Sequence, residues 1–172
     1  SLDQSFYLRI ADELYLKRLI IGGFEKVYEI AKNFRNEGMD RNHNPEYTSL
    51  EYYKAYADVY SMMDFTEKLV RYVAEKTGGL HFNYTGNNID LSQPFKKKSM
   101  FGLLKTYTNK DISGMDLIGL YELAESKSLG LPKGMNYGQV LDKLFGECVE
   151  PNLIEPTFVT DYPKAVSPLA KE

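Results

Sequence analysis

The chain has 172 residues, 43% of them hydrophobic and 26% charged, with a formal net charge of -3 from 21 basic and 24 acidic side chains. That balance suits a folded domain with a real core and excludes a disordered or fibrous chain; the acidic sign argues against a protein that grips nucleic acid over its whole surface. No apolar run approaches the roughly 20 residues needed to span a bilayer, and the opening SLDQSFYLRI lacks the basic-then-apolar order of a secretion signal, so a soluble cytoplasmic protein is expected.

Phe6, Leu8 and Ile10 alternate with Tyr7 and Arg9, which predicts a half-buried strand. Asp12 stands where a helix N-cap would, ELYLKRLII follows as a short helix, and Gly22-Gly23 closes it. The next strand is predicted from about Glu25 to Glu37. GMDRNHNP is a polar loop, and a second strand rich in tyrosine and threonine returns from Glu46 to about Ala57. The two strands form a long antiparallel hairpin.

Beyond the hairpin, SMMDFTEKLVRYVAEKTGG repeats Met62, Phe65, Leu69, Tyr72 and Val73 at helical spacing and stops on Gly-Gly. HFNYTGNNIDLSQPFKK reads as strand and turn. Helices are expected near SMFGLLKTY, DLIGLYELAESKSLG and YGQVLDKLFGECV, and EPTFVTDYP is extended. With no internal repeat or linker, the economical reading is one α+β domain, an antiparallel sheet flanked by helices.

Cys148 is the single cysteine, and beside it stand only His43 and His81, so neither a disulfide nor a zinc site is expected. Next to an apolar helix run, Cys148 reads as a small packed hydrophobe. Lys96, Lys97 and Lys98 form the densest basic stretch and read as a solvated strand end or loop. Glu122 with Glu125, and Glu147 with Glu150, share helix faces but read as solvated surface, and no metal site is predicted.

The chemically informative segment is FRNEGMDRNHNPEYTSLEYY, residues 34 to 53. Alternation puts Arg35 and Glu37 on one strand face, and Tyr47, Ser49, Glu51 and Tyr53 on one face of the returning strand. If the faces coincide, a guanidinium, two carboxylates and two phenols share a patch, with His43 on the loop above. A solvated ion-pair row explains the charges equally well by spacing alone. The other explanation is a site for an anionic phosphate beside a cationic amino acid.

The pattern FRNEG, HNPEYT and E-x-Y resembles motif 2 of class II aminoacyl-tRNA synthetases, in the form carried by the lysyl-tRNA synthetases. The segments YLRIADELYLKRLIIGGFEKVYEI, AYADVYSMM, VEPNLIEPTFVTDYP and SPLAK are similar to the same family, so the likeness covers nearly the whole chain. Aspartyl and asparaginyl relatives usually lack HNPE followed by this E-x-Y. The resemblance implies a truncated class II catalytic core, with the motif 2 hairpin at about 25–57, a helical insert at about 60–150 and a terminal strand at about 154–163.

It also implies roles. Arg35 bridges the α-phosphate of ATP and the lysine carboxylate, offsetting repulsion between two anions in adenylate formation. Glu37 serves the adenine side or positions Arg35, His43 and Asn44 belong to the ATP site, and Tyr47 stacks on adenine where phenylalanine is commoner. Glu13 receives the α-amino group of lysine, and Glu51 with Tyr53 receives the ε-ammonium. Many relatives carry arginine just before the loop histidine; here that residue is Asn42, with Arg41 one place earlier, so which of them contacts phosphate stays open.

The implied parent enzyme takes lysine, ATP and tRNA(Lys), is a homodimer, and uses magnesium through residues not found in this sequence. It also has an anticodon-binding barrel, motif 1 and motif 3, so this stretch is expected to be inactive alone and to expose sheet edges. Two other readings fit the hairpin: the shorter paralogue that lysylates elongation factor P, which AYADVYSMM resembles less, and a non-catalytic synthetase-like module, which has no physical need for charges facing a pocket.

Overall fold

The computed structural model describes residues 3–40 and 43–170. Arg41 and Asn42, whose relation to phosphate the sequence leaves open, lie outside the described residues. The chain divides into two compact units, Ser1–Met62 and Met63–Glu172.

In the first unit, helix α1 (Glu13–Ile21) packs against both strands of a hairpin, β1 (Lys26–Phe34) and β2 (Glu46–Lys54). Asp12 occupies the N-cap position of α1 as expected, but its side chain makes no capping hydrogen bond. The helix closes on Gly22, and Gly23 turns the chain with φ of 103°, a conformation that costs glycine nothing. The strands are antiparallel, with Glu29 opposite Glu51, Ala31 opposite Ser49 and Asn33 opposite Tyr47. A further backbone bond from Arg35 N to Pro45 O, 2.9 Å, carries the pairing one step past Phe34.

The strand predicted around Phe6–Ile10 is not formed. Phe6, Leu8 and Ile10 are exposed, and the stretch meets the hairpin through one backbone bond, Phe34 N to Arg9 O at 2.8 Å. Alternation of apolar residues marks a strand only where a layer exists to bury one side, and no such layer covers these side chains among the described residues.

Helix α2 (Val59–Thr77) follows, its start fixed by a reciprocal pair in which Asp58 accepts from Ser61 N at 2.8 Å and Asp58 N donates to Ser61 Oγ at 3.1 Å. In the second unit, β3 (His81–Tyr84) and β4 (Asn87–Asp90) make a small antiparallel hairpin. Strand β5 (Lys96–Ser99) pairs in parallel with β6 (Thr157–Thr160), and between them in sequence come α3 (Met100–Thr108), α4 (Leu117–Ser126) and α5 (Tyr137–Cys148). The strands thus make three separate two-stranded ladders among the described residues, one of them parallel, where the sequence pointed to a single antiparallel sheet. The three lysines are the strand β5 itself, with Lys96 ion-paired to Glu155 and Lys97 to Asp64.

The three helices bury an apolar cluster that includes Met100, Leu104, Ile112, Leu120, Leu141, Leu144 and Val149. Each helix is started by a side chain: Ser99 and Asp116 accept from the backbone three residues on, and Asn136 with Gln139 forms a capping box. Cys148 lies half-buried against this cluster, and burial pushes its thiol pKa up, as befits a packed side chain. The stretch after β6 crosses α5 so closely that a Cβ on Gly138 would stand 2.1 Å from the Ala165 carbonyl oxygen. A Gly138→Ala variant is therefore expected to lose roughly 1–3 kcal/mol despite its better helix propensity, because backbone must move to admit a methyl group; urea denaturation measures this, and an unchanged midpoint would contradict the close approach.

Candidate functional site

The hairpin register decides which side chains share a face. Residues directly opposite point the same way, so Val27, Glu29, Ala31 and Asn33 of β1 lie with Tyr47, Ser49, Glu51 and Tyr53 of β2. Arg35, next in phase and opposite Pro45, continues this row, and its guanidinium stands 5.5 Å from the centre of the Tyr47 ring. The row is the shielded face: Ala31 and Asn33 are buried, and the other row members of the two strands are half-buried. Arg35 itself is exposed, held by a bond from its Nε to Ile10 O at 3.2 Å.

Polar contacts fill the space between this face and α1. Asp12, fully buried, accepts from Arg9 Nη1 at 2.8 Å and from Asn33 Nδ2 at 3.4 Å. The same Arg9 nitrogen reaches Glu29 at 2.7 Å, and Asn33 Nδ2 also donates to Ser49 Oγ at 2.7 Å. The sequence marks Ser49 as a member of the strand face, Asp12 as an N-cap and Arg9 as part of an alternating stretch, but it gives Glu29 and Asn33 no part in the site. Counting back from Arg35 in steps of two finds Asn33 and Glu29; nothing in the sequence shows that Asp12 turns away from its helix to meet them.

At the other end of the row, the Tyr53 hydroxyl donates to Glu51 Oε2 at 3.0 Å. Burial, that bond, and the charges of Glu51, Glu13 and Asp12 push the Tyr53 phenol up to about 12, so it is a proton donor at neutral pH. Glu51 and Glu13 thus both stand near enough to Tyr53 for their charges to act on its phenol. From the level of Arg35 and Pro45 to Glu51 is six strand residues, roughly 20 Å at about 3.3 Å each. A long cationic side chain and an extended ligand bridge such a span; a short ligand does not.

The loop residues are arranged differently. Glu37 lies beyond the ladder, where alternation no longer assigns a face, and its backbone N–H meets Arg35 O at 2.9 Å. His43 Nδ1 lies 2.8 Å from Asp40 Oδ2, and the hydrogen bond and charge of Asp40, with Glu37 nearby, raise its pKa. Asn44 turns back to donate to Glu46 O at 2.8 Å. Among the described residues, no group of three His, Cys, Asp or Glu side chains is placed to hold a metal ion.

Two outcomes follow from this geometry. Arg9→Met removes a cation that hydrogen-bonds a fully buried carboxylate and is expected to lower the midpoint of thermal or urea unfolding; no loss would mean that Asp12 is satisfied without it. The His43 pKa, read from its ring proton by NMR, should lie above the ordinary 6.5 and fall towards it in Asp40→Asn. Since the folded pKa is the raised one, the loop contact is complete below about pH 6.5 and is lost as pH rises through the folded value.

Known proteins resemble this chain along its whole length. A family model described as tRNA synthetases class II (D, K and N) matches residues 1–172. A lysine–tRNA ligase of Carboxydothermus hydrogenoformans is 53% identical over 99% of this chain and 36% of its own length. Those of Christiangramia forsetii and Aquifex aeolicus are 49% and 51% identical, over 100% and 99% of this chain and 30% and 29% of theirs. The chain spans about a third of the length of these curated relatives. No helix among the described residues is long and apolar enough to cross a membrane. The chain belongs to the class II tRNA synthetases of the D, K and N group.

Proposed function

We propose that this chain is the part of a lysine–tRNA ligase that holds ATP and lysine for adenylate formation, the protein then passing lysine to tRNA(Lys). The observation that carries the proposal is the shielded hairpin face, where a guanidinium at one end and an acid–phenol pair at the other share one row beneath α1. The names of the relatives supply the amino acid.

In this reading Arg35 lies between the α-phosphate of ATP and the lysine carboxylate. Both reactants are anions there, and a fixed planar cation offsets their repulsion and stabilises the charge that gathers as the carboxylate attacks. Its tether to Ile10 O restricts the guanidinium before substrate arrives. Tyr47, already under the guanidinium, offers its ring to adenine. His43, kept more protonated by Asp40, presents positive charge to the outer phosphates, with Asn44 and Glu37 bordering the nucleotide. Glu13 takes the α-ammonium.

Glu51 takes the ε-ammonium. The Tyr53 hydroxyl fixes one of its oxygens, so an uncharged amino acid leaves a half-buried carboxylate without a cation. Magnesium, when bound, would supply charge neutralisation at the phosphates.

We further propose that both units are parts of one catalytic domain, with the hairpin at about 25–57, a helical insert at about 60–150 and a terminal strand at about 154–163. In the whole protein the hairpin joins an antiparallel sheet flanked by helices, in a cytoplasmic homodimer. Support comes from the outer hairpin face, where Tyr28, Ile30 and Leu50 are exposed together.

Lysine-dependent exchange of pyrophosphate into ATP, measured on the full-length protein, tests the reading. Arg35→Ala should lower the rate by about 10²–10³-fold. Glu51→Gln should raise the KM for lysine roughly 10–100-fold with little effect on that for ATP. Absence of lysine-dependent exchange in the unaltered protein would sink the assignment.

A further inference from the structure

One ammonium already sits among the acids of this site. Lys17, one helical turn after Glu13 on α1, forms an ion pair with the Glu13 carboxylate. A Glu–Lys pair at this spacing is ordinary on an exposed helix. What sets this one apart is the second partner: the same Nζ stands 5.9 Å from the centre of the Tyr53 ring, on β2. That ring hydroxyl in turn holds Glu51 at 3.0 Å. Acids from two elements, Glu13 and Asp12 at the start of α1 and Glu51 on β2, therefore surround a phenol beside which Lys17 is the cation. Arg9, the other cation of the cluster, is committed to Asp12 and Glu29.

We propose that Lys17 is a built-in competitor of the substrate: it neutralises Glu13 in the empty site, is displaced when the α-ammonium of lysine docks there, and so sets the affinity for lysine. The inference rests on the reading above that Glu13 receives that group. Lysine is suited to the part, since its charge is compact and its four-carbon stem lets it leave a contact without moving the helix. A side chain that occupies the docking carboxylate reduces apparent affinity by the fraction of molecules in which that carboxylate is free. It also discriminates. A ligand with an α-ammonium restores the charge that Lys17 gives up, whereas a ligand without one leaves the pair intact and gains nothing from Glu13.

Calorimetric titration of the full-length protein with lysine and with 6-aminohexanoic acid, which is lysine without its α-amino group, tests this. In Lys17→Met the Kd for lysine should fall roughly threefold to tenfold, the range for relief of a modest internal competitor, while that for 6-aminohexanoic acid stays put. Lys17→Arg, which keeps a cation, should not show the gain. Lys17→Gln is a second uncharged variant, and the side chain is 50% exposed, so neither change disturbs packing. Unchanged or weaker lysine binding in both uncharged variants overturns the proposal. Glu13→Gln separates the two levels: if it weakens lysine but not 6-aminohexanoic acid, Glu13 is the docking group and only the part given to Lys17 is in question. If it alters neither, the role of Glu13 is wrong and the proposal falls with it.

Discussion

The buried carboxylate of Asp12 is the contact on which the first unit depends. It stands at the N-cap of α1 without making a capping bond, and instead ties Arg9, ahead of α1, to Asn33 near the end of β1. A carboxylate taken out of water must be paired, and here one arginine pairs it while also reaching Glu29. The result is a helix whose start is pinned to one hairpin position by direction-dependent bonds. Leu16 and Ala31 are the buried apolar side chains of α1 and β1, and apolar burial is not directional as these bonds are. Glu13 is the next residue, so whatever fixes Asp12 fixes where Glu13 stands.

Both faces of the hairpin are mixed. Its shielded face carries Glu29, Asn33, Ser49 and Glu51 beside Val27 and Ala31, and its exposed face carries Tyr28, Ile30 and Leu50 beside Lys32 and Glu46, which form an ion pair. An ordinary surface hairpin keeps its polar side chains on the solvated side, so acids and amides in the shielded row must find partners there. The exposed apolar side chains on the other face are the kind that a further layer covers. Phe6, Leu8, Ile10 and Ile21 are exposed in the same unit and pose the same demand.

The second unit is built on the opposite principle. Its helices share a cluster of Met, Leu, Ile and Val side chains, each helix begins on its own cap, and the tail after β6 seals α5 where a glycine lets the backbone approach. Its ion pairs, such as Lys96–Glu155 and Lys105–Asp111, lie outside that cluster with exposed side chains. A unit held by area and caps tolerates scattered substitution, whereas one held by a few directed ionic contacts does not.

Period and punctuation were enough to read the helices and the hairpin from the chain itself: Gly22-Gly23, the GMDRNHNP loop and the helical spacing after it are local signals, and local physics answers them. The side on which Arg35, Tyr47, Glu51 and Tyr53 lie follows from strand alternation once the register is known, and the register is a matter of pairing between strands. Tertiary structure alone decided three things. It left the alternating residues Phe6–Ile10 without a strand, because alternation needs a layer to bury against. It split the strands into three ladders and made one of them parallel, since pairing partners far apart in sequence are chosen by packing. And it turned Asp12 inward and brought Lys17 beside Tyr53, because a charged side chain goes to the nearest opposite charge or ring that folding places within its reach, which no spacing along the chain records.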